Sequence, residues 1–172
     1  MATRNIVKMG DEILRKKCRP VTNFDKRLSG ILDDMVETLK KADGCGLAAP
    51  QVGILRKIVV VDVGDGPIEL INPEIIKSSG SQREIEGCLS CPDSWGYVRR
   101  PMKIKVRAFD REGNEVQYEG RELFARCVVH EMDHLDGILF VDKADEMVDP
   151  SELEEVSDSK SRRGSRIRRK KR

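Results

Sequence analysis

The stretch "RCVVHEMDHLDG", residues 126 to 137, contains both histidines of this 172-residue chain, four positions apart with a glutamate between them. The spacing of apolar residues from 121 to 135 predicts a helix, and the "DG" that follows is a stop signal. At about 100° per residue, His130 and His134 share one face of this helix, and Glu131 lies next to that face. Two imidazoles one turn apart can reach a single ion, while a glutamate after the first histidine can reach water on that ion.

The segments around this helix favour strands. Residues 21 to 44 have the apolar spacing of an amphipathic helix, but 56 to 63 and 68 to 76 are β-branched runs with glycine-rich turns beside them. Residues 103 to 120 alternate between apolar and charged side chains around "DREGNE", which predicts a hairpin. The histidine helix is therefore embedded among strands.

Length and composition limit the number of domains, the cellular location and the role of the cysteines. A chain of 172 residues is most simply one folded domain. No apolar run approaches the roughly 18 residues needed to span a bilayer, and residues 1 to 20 lack the apolar core of a signal peptide, so we expect a cytoplasmic protein without a membrane partner. The five cysteines are an odd number, which favours thiols or metal ligands over a disulfide framework.

A catalytic zinc-type site uses three protein ligands and leaves a fourth position for water, so the two histidines need one more ligand. "EGCLSC" offers Cys88 and Cys91. One cysteine would leave an open site, whereas both would close a structural Cys2His2 site or form a redox pair. Because "EIEGCLS" is typical of extended chain, we expect the two thiols to point to opposite faces and only one to join the histidines. A solvated helix with incidental histidines is the remaining alternative.

Three motifs together resemble the signatures of the peptide deformylase family, in the family's order and spacing: "GCGLAAPQ" at 44 to 51, "EGCLS" at 86 to 90 and "HEMDHLDG" at 130 to 137. The resemblance covers about residues 5 to 142. It implies an α+β fold in which antiparallel sheets pack around a central metal-binding helix. It also implies a catalytic domain over residues 1 to 145.

The same resemblance implies roles for individual residues. The metal ligands would be Cys88, His130 and His134, and Glu131 would be the acid and base of catalysis. The side chain of Gln51, with the backbone N–H of Leu89, would stabilise the oxyanion, a contribution typically worth about 10²–10³ in rate.

The implied reaction removes the formyl group from N-formylmethionine at the start of nascent polypeptides and releases formate. The implied cofactor is one divalent metal ion, Fe(II) in the cell, with Ni, Co or Zn as alternatives, since a Cys/His2 set suits several ions. Gly46 would give clearance to the peptide, and Cys45, Leu123 and Cys127 would line the methionine pocket. Cys127 has an alternative role in core packing. Taken alone, "GCGLAAPQVG" is also typical of a helix-ending glycine followed by a packed loop.

Two residues depart from the family pattern. Val129 replaces a frequent glutamine and lies off the metal-binding face, while Cys91 replaces an aliphatic residue and is followed by the only tryptophan, Trp95. We expect these changes to alter the rim of the substrate site and not its chemistry. Two rival functions remain: a non-catalytic RNA-binding protein with a structural metal closed by Cys91, and another zincin hydrolase such as a peptidase.

The charge is unevenly distributed. The last thirteen residues, 160 to 172, carry nine of the 32 basic residues and no acid, which leaves 23 basic against 30 acidic residues, or −7, for residues 1 to 159. We expect residues 146 to 172 to form a charged, partly disordered tail. Its basic end could hold the enzyme near ribosomal RNA, or remain solvated without a partner.

Overall fold

The computed structural model describes residues 2 to 153. The basic segment 160 to 172 and most of the tail expected after residue 145 lie outside the described residues. Within residues 2 to 153, no helix combines the length and the apolar character needed to cross a bilayer.

Within the described part of the chain, eight antiparallel strands form two sheets. In chain order the strands are β1 (Gly46–Ala48), β2 (Ile58–Val61), β3 (Ile68–Ser79), β4 (Gln82–Cys88), β5 (Cys91–Arg100), β6 (Lys103–Phe109), β7 (Glu115–Arg121) and β8 (Glu146–Val148). The larger sheet has the order β1-β2-β3-β6-β7 and the smaller one β4-β5-β8. The predicted hairpin over 103 to 120 is confirmed as β6 and β7, with Val106 opposite Tyr118.

The α-helices that pack with the sheets are α1 (Lys26–Ala42), α2 (Leu123–Leu135) and the short α3 (Phe140–Lys143). The Asp25 side chain caps α1 by accepting a hydrogen bond from the N–H of Leu28 at 3.0 Å. The predicted apolar face of α1 is buried through Leu32 and Met35, which pack in one cluster with Ile58 and Val60 of β2. These contacts cover one surface of the larger sheet.

The histidine helix α2 lies at the centre of the molecule. It contacts β1, β2 and β7 of the larger sheet and β5 of the smaller sheet. Ala125, Val128 and Leu135 are buried on the side that faces the larger sheet, in one cluster with Val59 and Leu70. The predicted α+β fold, with antiparallel sheets around a central helix, is confirmed, and the alternative of a solvated helix is wrong.

The chain enters α2 through a strained residue. Glu122 has φ 56° and ψ −120°, a conformation that favours glycine, and its side chain is exposed. Its backbone N–H donates to the carbonyl of Met102 at 2.9 Å, and its own carbonyl accepts from Gln82 Nε2 at 3.0 Å. These bonds hold the backbone where the strand ends and the helix begins.

The smaller sheet differs from the prediction at one turn. The chain reverses at Leu89 and Ser90, so Cys88 and Cys91 are directly opposite each other on β4 and β5. The expectation that the two thiols point to opposite faces of one extended segment was therefore wrong. The strand β8, just past the predicted domain boundary at residue 145, pairs with Trp95 to Tyr97 of β5.

Candidate active site

A cysteine and two histidines converge between β4 and α2. The sulfur of Cys88 and ring nitrogens of His130 and His134 all lie within 4.8 Å of one another, and they are the only such group of metal-binding side chains within residues 2 to 153. Cys88 ends β4, and both histidines come from consecutive turns of α2. The Cys88 Sγ to His134 Nε2 distance is 3.4 Å. The structure thus brings together the three predicted ligands.

The imidazole of His130 is oriented by a carboxylate. Its Nδ1 lies 2.9 Å from Glu86 Oε2, which leaves Nε2 directed toward the cluster, 4.0 Å from Glu131 Oε1. A carboxylate on the second ring nitrogen is the usual support of a metal-binding histidine. The pKa of His130 is raised, since the interactions with Glu86 and Glu131 outweigh the burial that lowers it.

The second imidazole, that of His134, is 1% exposed and its Nδ1 has no hydrogen-bond partner within residues 2 to 153. Burial lowers the pKa of His134 to about 3, so the ring is neutral. A neutral imidazole with Nε2 facing a thiol and another imidazole is a donor set suited to a divalent ion. The residues present therefore fit a metal ion.

Glu131 lies between the two imidazoles. One carboxylate oxygen is 4.0 Å from His130 Nε2 and the other is 4.0 Å from His134 Nε2. The residue is 4% exposed, and its Oε2 has no hydrogen-bond partner in the part of the chain that the structure describes. Burial raises the pKa of Glu131 to about 7. A carboxyl group in this environment can exchange a proton near neutral pH.

The amide of Gln51 is also buried beside the cluster. Its Oε1 accepts from the N–H of Ala48 at 2.9 Å, while Nε2 lies 3.1 Å from Ser90 Oγ and 3.6 Å from Cys88 Sγ. These contacts fix the donor end of the amide toward Cys88. Leu89 occupies the turn between Cys88 and Ser90.

The N-terminal segment holds both of these elements. The N–H of Val7 donates to the Gln51 carbonyl and that of Met9 to the Ser90 carbonyl, each at 2.7 Å. The ammonium of Lys8 donates to the Leu89 carbonyl at 3.0 Å. Residues 7 to 9 therefore bridge the glutamine segment and the turn after Cys88.

A cavity of about 310 Å³ opens onto His130, Glu131 and Cys88. The four residues predicted to contact substrate all line it: Cys45, Gly46, Leu123 and Cys127. A larger cavity of about 610 Å³ lies between α1 and residues 53 to 58, but no cysteine or histidine lines it. The smaller cavity is the candidate active site because Cys88 and His130 of the three-residue cluster line it.

Comparison with known proteins bears directly on this geometry. The family model described as Polypeptide deformylase matches residues 3 to 149. The chain belongs to the peptide deformylase family. Peptide deformylase 1 of Clostridium acetobutylicum is 57% identical over 143 residues, which cover 83% of this chain and 95% of that protein. A peptide deformylase of Caldicellulosiruptor bescii is 56% identical over 155 residues, which cover 90% of this chain and 93% of the relative.

Solved deformylase structures have the same fold. The peptide deformylase of Thermotoga maritima is 41% identical, with a TM-score of 0.82 over 84% of this chain and 99% of that one. A peptide deformylase from Synechococcus elongatus, solved in complex with actinonin, is 38% identical with a TM-score of 0.79, covering 92% of this chain and 86% of the other. The predicted family is confirmed. The protein is a metal-dependent hydrolase that removes the N-formyl group from nascent polypeptides.

This deformylase site rests on a buried ion-pair network that the sequence analysis missed. The Arg100 guanidinium donates to Glu86 through Nε and Nη2, both at 2.9 Å, and to Asp133 Oδ2 through Nη1 at 2.6 Å. Arg100 is 3% exposed. Burial would raise the pKa of Glu86, but the hydrogen bonds from Arg100 and His130 lower it to about 2. Glu86 and Asp133 lie within the quoted motifs, but nothing in the sequence pointed to Arg100.

Cys91, the second residue that departs from the deformylase pattern, is next to Cys88 but outside the cluster of Cys88 and the two histidines. It is 1% exposed, packs with Leu14 and Phe140, and does not join the group of three ligands. Its thiol interacts with that of Cys88, and this contact lowers the pKa of Cys91 to about 7 and raises that of Cys88. The arrangement favours an open site over a closed Cys2His2 site.

Proposed function

We propose that Cys88, His130 and His134 hold the metal ion of this deformylase and that Glu131 transfers the proton. The observation that supports this most directly is the position of the Glu131 carboxylate, 4.0 Å from each histidine Nε2 and with one oxygen that has no hydrogen-bond partner among residues 2 to 153. A buried carboxyl group without a hydrogen-bond partner is costly, so its retention beside three potential ligands favours a functional role.

A bound divalent ion supplies Lewis-acid chemistry, which polarises a carbonyl group and makes water a better nucleophile. We propose Fe(II) as the ion in the cell, with Ni, Co or Zn as alternatives. One thiolate and two neutral imidazoles suit all of these ions, so availability decides among them. The buried Glu86 carboxylate keeps the His130 ring oriented with Nε2 toward the ligand set.

Glu131 is proposed to act first as base and then as acid. As the attacking water approaches the formyl carbon, a Glu131 oxygen takes its proton, and the same carboxyl group then donates that proton to the departing amine nitrogen. A pKa raised to about 7 by burial makes both transfers feasible near neutral pH. The products are formate and a peptide with a free amino terminus.

Gln51 is proposed to stabilise the oxygen on which negative charge develops, together with the backbone N–H of Leu89. Its Oε1 is held by Ala48, so Nε2 is presented toward the Cys88 side of the cavity before substrate arrives. A preorganised donor costs no reorganisation during the reaction.

The formyl-methionine end of the substrate is proposed to enter the 310 Å³ cavity. Leu123 at its mouth is 42% exposed, while Cys127 in its wall is buried. Gly46 keeps the wall open, because a Cβ there would lie 2.6 Å from the Glu131 carboxylate. We propose that Cys45 completes the methionine pocket.

The test is release of formate from a formyl-Met peptide by protein loaded anaerobically with Fe(II) or Ni(II). We expect one metal ion per chain and turnover in the wild type, and metal binding without turnover in Glu131→Gln. A Glu131→Gln protein as active as the wild type would overturn the role of Glu131. A His134→Ala protein that keeps its metal and its turnover would overturn the ligand set.

We further propose a cytoplasmic enzyme whose catalytic domain, predicted over residues 1 to 145, also includes the strand β8 (Glu146–Val148), and whose basic segment 160 to 172 holds it close to ribosomal RNA. Nine positive charges within thirteen residues favour binding to a phosphate backbone. Deleting residues 160 to 172 should reduce cosedimentation with ribosomes at low salt more than at high salt. Equal cosedimentation of the full and the shortened chain would contradict the proposal, while formate release reports separately on the domain.

A further inference from the structure

The thiol of Cys91 lies behind the proposed metal ligand Cys88, and the deformylase reaction makes no use of it. The two residues are directly opposite on β4 and β5, separated by the two-residue turn Leu89–Ser90. We propose that Cys88 and Cys91 form a dithiol that a peroxide oxidises to an intramolecular disulfide. The proposal rests on the role of Cys88 as a metal ligand.

The register satisfies the geometric requirement of a disulfide. Directly opposite residues of an antiparallel pair have Cα atoms about 4.5 or 5.5 Å apart, and disulfides bridge Cα atoms about 4.4–6.8 Å apart. Bond formation therefore needs only side-chain rotation within an existing hairpin.

The surroundings give the two thiols different access. Cys88 is partly exposed and lines the substrate cavity, so a molecule as small as hydrogen peroxide can reach its sulfur. Cys91 is 1% exposed among Leu14, Val98 and Phe140, and its sulfur contacts that of Met9 at 3.9 Å. In this arrangement the accessible thiol of Cys88 reacts with the peroxide, and the buried thiol of Cys91 then resolves the sulfenic acid by forming the disulfide.

The oxidation balances with one peroxide molecule. The Cys88 sulfur attacks one peroxide oxygen, the O–O bond breaks, and the leaving hydroxide takes a proton to become water, which leaves a sulfenic acid. The Cys91 sulfur then attacks the Cys88 sulfur, the S–OH bond breaks, and the hydroxide leaves as water with the Cys91 proton. Two thiols lose two electrons, and one peroxide becomes two water molecules.

The consequence is reversible loss of the metal ligand. A disulfide sulfur no longer offers a thiolate, so the ion is released, and a thiol reductant restores the site. Without a resolving thiol, a sulfenic acid at Cys88 is open to further oxidation to sulfinic acid, which thiol reductants do not reverse. Cys91 thus protects the ligand that oxidation reaches first.

A second thiol pair borders the same cavity and must be distinguished. Cys127 Sγ donates to the carbonyl of Cys45 at 3.0 Å, and their thiols also interact. Proteolytic cleavage after lysine and arginine distinguishes a disulfide within the first pair from one within the second. Cys88 and Cys91 share the peptide 84 to 99, while Cys45 and Cys127 lie in the separate peptides 42 to 56 and 127 to 143.

The experiment treats metal-loaded full-length protein with hydrogen peroxide, follows metal release with a chromogenic chelator, and alkylates the remaining thiols before peptide mapping. We expect the peptide 84 to 99 to lose both alkylation sites and two hydrogens, with one metal ion released per disulfide, and dithiothreitol to restore both. In Cys91→Val, and in Cys91→Ala as a second variant, the same peptide should gain two or three oxygens and dithiothreitol should not restore metal binding. Cys18→Val, a buried cysteine away from the cavity, is the matched control and should behave as the wild type.

Two results would overturn the proposal: oxygen addition at Cys88 in the wild type with Cys91 still alkylated, or a cross-link between the peptides 42 to 56 and 127 to 143 in its place. Failure of the proposed function gives a different result. In that case the untreated protein would bind no metal, or would bind it equally well in Cys88→Ser.

Discussion

Replacing Gly46 with alanine tests how closely the cavity wall fits the carboxylate of Glu131. A Cβ built at Gly46 would lie 2.6 Å from both Cγ and Oε1 of Glu131 and 2.8 Å from Cys127 Sγ. Carbon contacts are normally about 3.5–4.0 Å, so the glutamate side chain must move by about 1 Å. Gly46 is in β1, which pairs with β2, so the backbone cannot easily move instead.

The expected cost follows from this displacement. A misplacement of about 1 Å in a catalytic geometry costs about 10² in rate, which corresponds to about 2.7 kcal/mol of transition-state stabilisation. We therefore expect kcat/KM for a formyl-Met peptide to fall about 100-fold in Gly46→Ala. The metal content should stay at one ion per chain, because the three atoms nearest to the added Cβ belong to Glu131 and Cys127 and not to the proposed ligands.

The assay is formate release under anaerobic conditions, with metal content and thermal unfolding measured on the same sample. Gly30→Ala is the matched control, since Gly30 lies in α1 and a Cβ there meets nothing within 4 Å. This control should keep full activity and gain about 0.5–1 kcal/mol of stability from helix propensity. A folded, metal-loaded Gly46→Ala protein with wild-type kcat/KM would refute the reasoning.

Three further predictions concern the groups around the site. Arg100→Met should lower the free energy of unfolding by about 3–5 kcal/mol in chemical denaturation, because it leaves Glu86 buried without its arginine and Asp133 with Lys143 as its remaining cation. Glu122→Gly should raise the melting temperature and stabilise the fold by about 1 kcal/mol, since it relieves a strained backbone and loses only an exposed side chain. Glu86→Gln should weaken metal binding about 10–100-fold in chelator competition, because Glu86 orients His130. In the metal-free protein, the depressed pKa of Glu86 adds stability that is fully present above pH 4.5 and lost as the pH falls through about 2, so Glu86→Gln should flatten the stability curve in that window.

Matched variants make these predictions specific. Arg99→Met removes the neighbouring arginine, which is 69% exposed, and should change stability by less than about 0.5 kcal/mol. Glu122→Ala keeps a Cβ in the strained conformation and should not reproduce the gain from glycine. Glu74→Gln removes an exposed ion pair on β3 and should leave metal affinity unchanged. Equal effects in a variant and its control would contradict the corresponding explanation.

The helices and the pair of histidines could be predicted from the sequence because their signals are local. The apolar face of α1 repeats at helical spacing, and His130 and His134 lie one turn apart on α2. The predicted contacts of Cys88 with these histidines depended on the family resemblance. Physical reasoning from the residues alone left Cys91 as an equal candidate.

The smaller sheet could not be predicted in the same way. The strand β5 has the sequence "CPDSWGYVRR", in which proline, aspartate and glycine disfavour a strand, yet it is held on both sides by β4 and β8. The turn Leu89–Ser90 contains no glycine, asparagine or aspartate that would predict it. The sequence alone predicts Arg100 to be a surface residue, since its partners Glu86 and Asp133 are 14 and 33 positions away and only the fold brings them together. Tertiary contacts decide all three features.

The bridge formed by residues 7 to 9 limits when the active site can form during synthesis of the chain. Val7, Lys8 and Met9 are synthesised tens of residues before their partners Gln51, Leu89 and Ser90. The histidines of α2 come later still. Contacts between segments that are distant in sequence form slowly, and they stabilise the fold only after both segments have been synthesised. We therefore expect a nascent copy of this enzyme to be inactive until α2 has been synthesised and these segments are in contact.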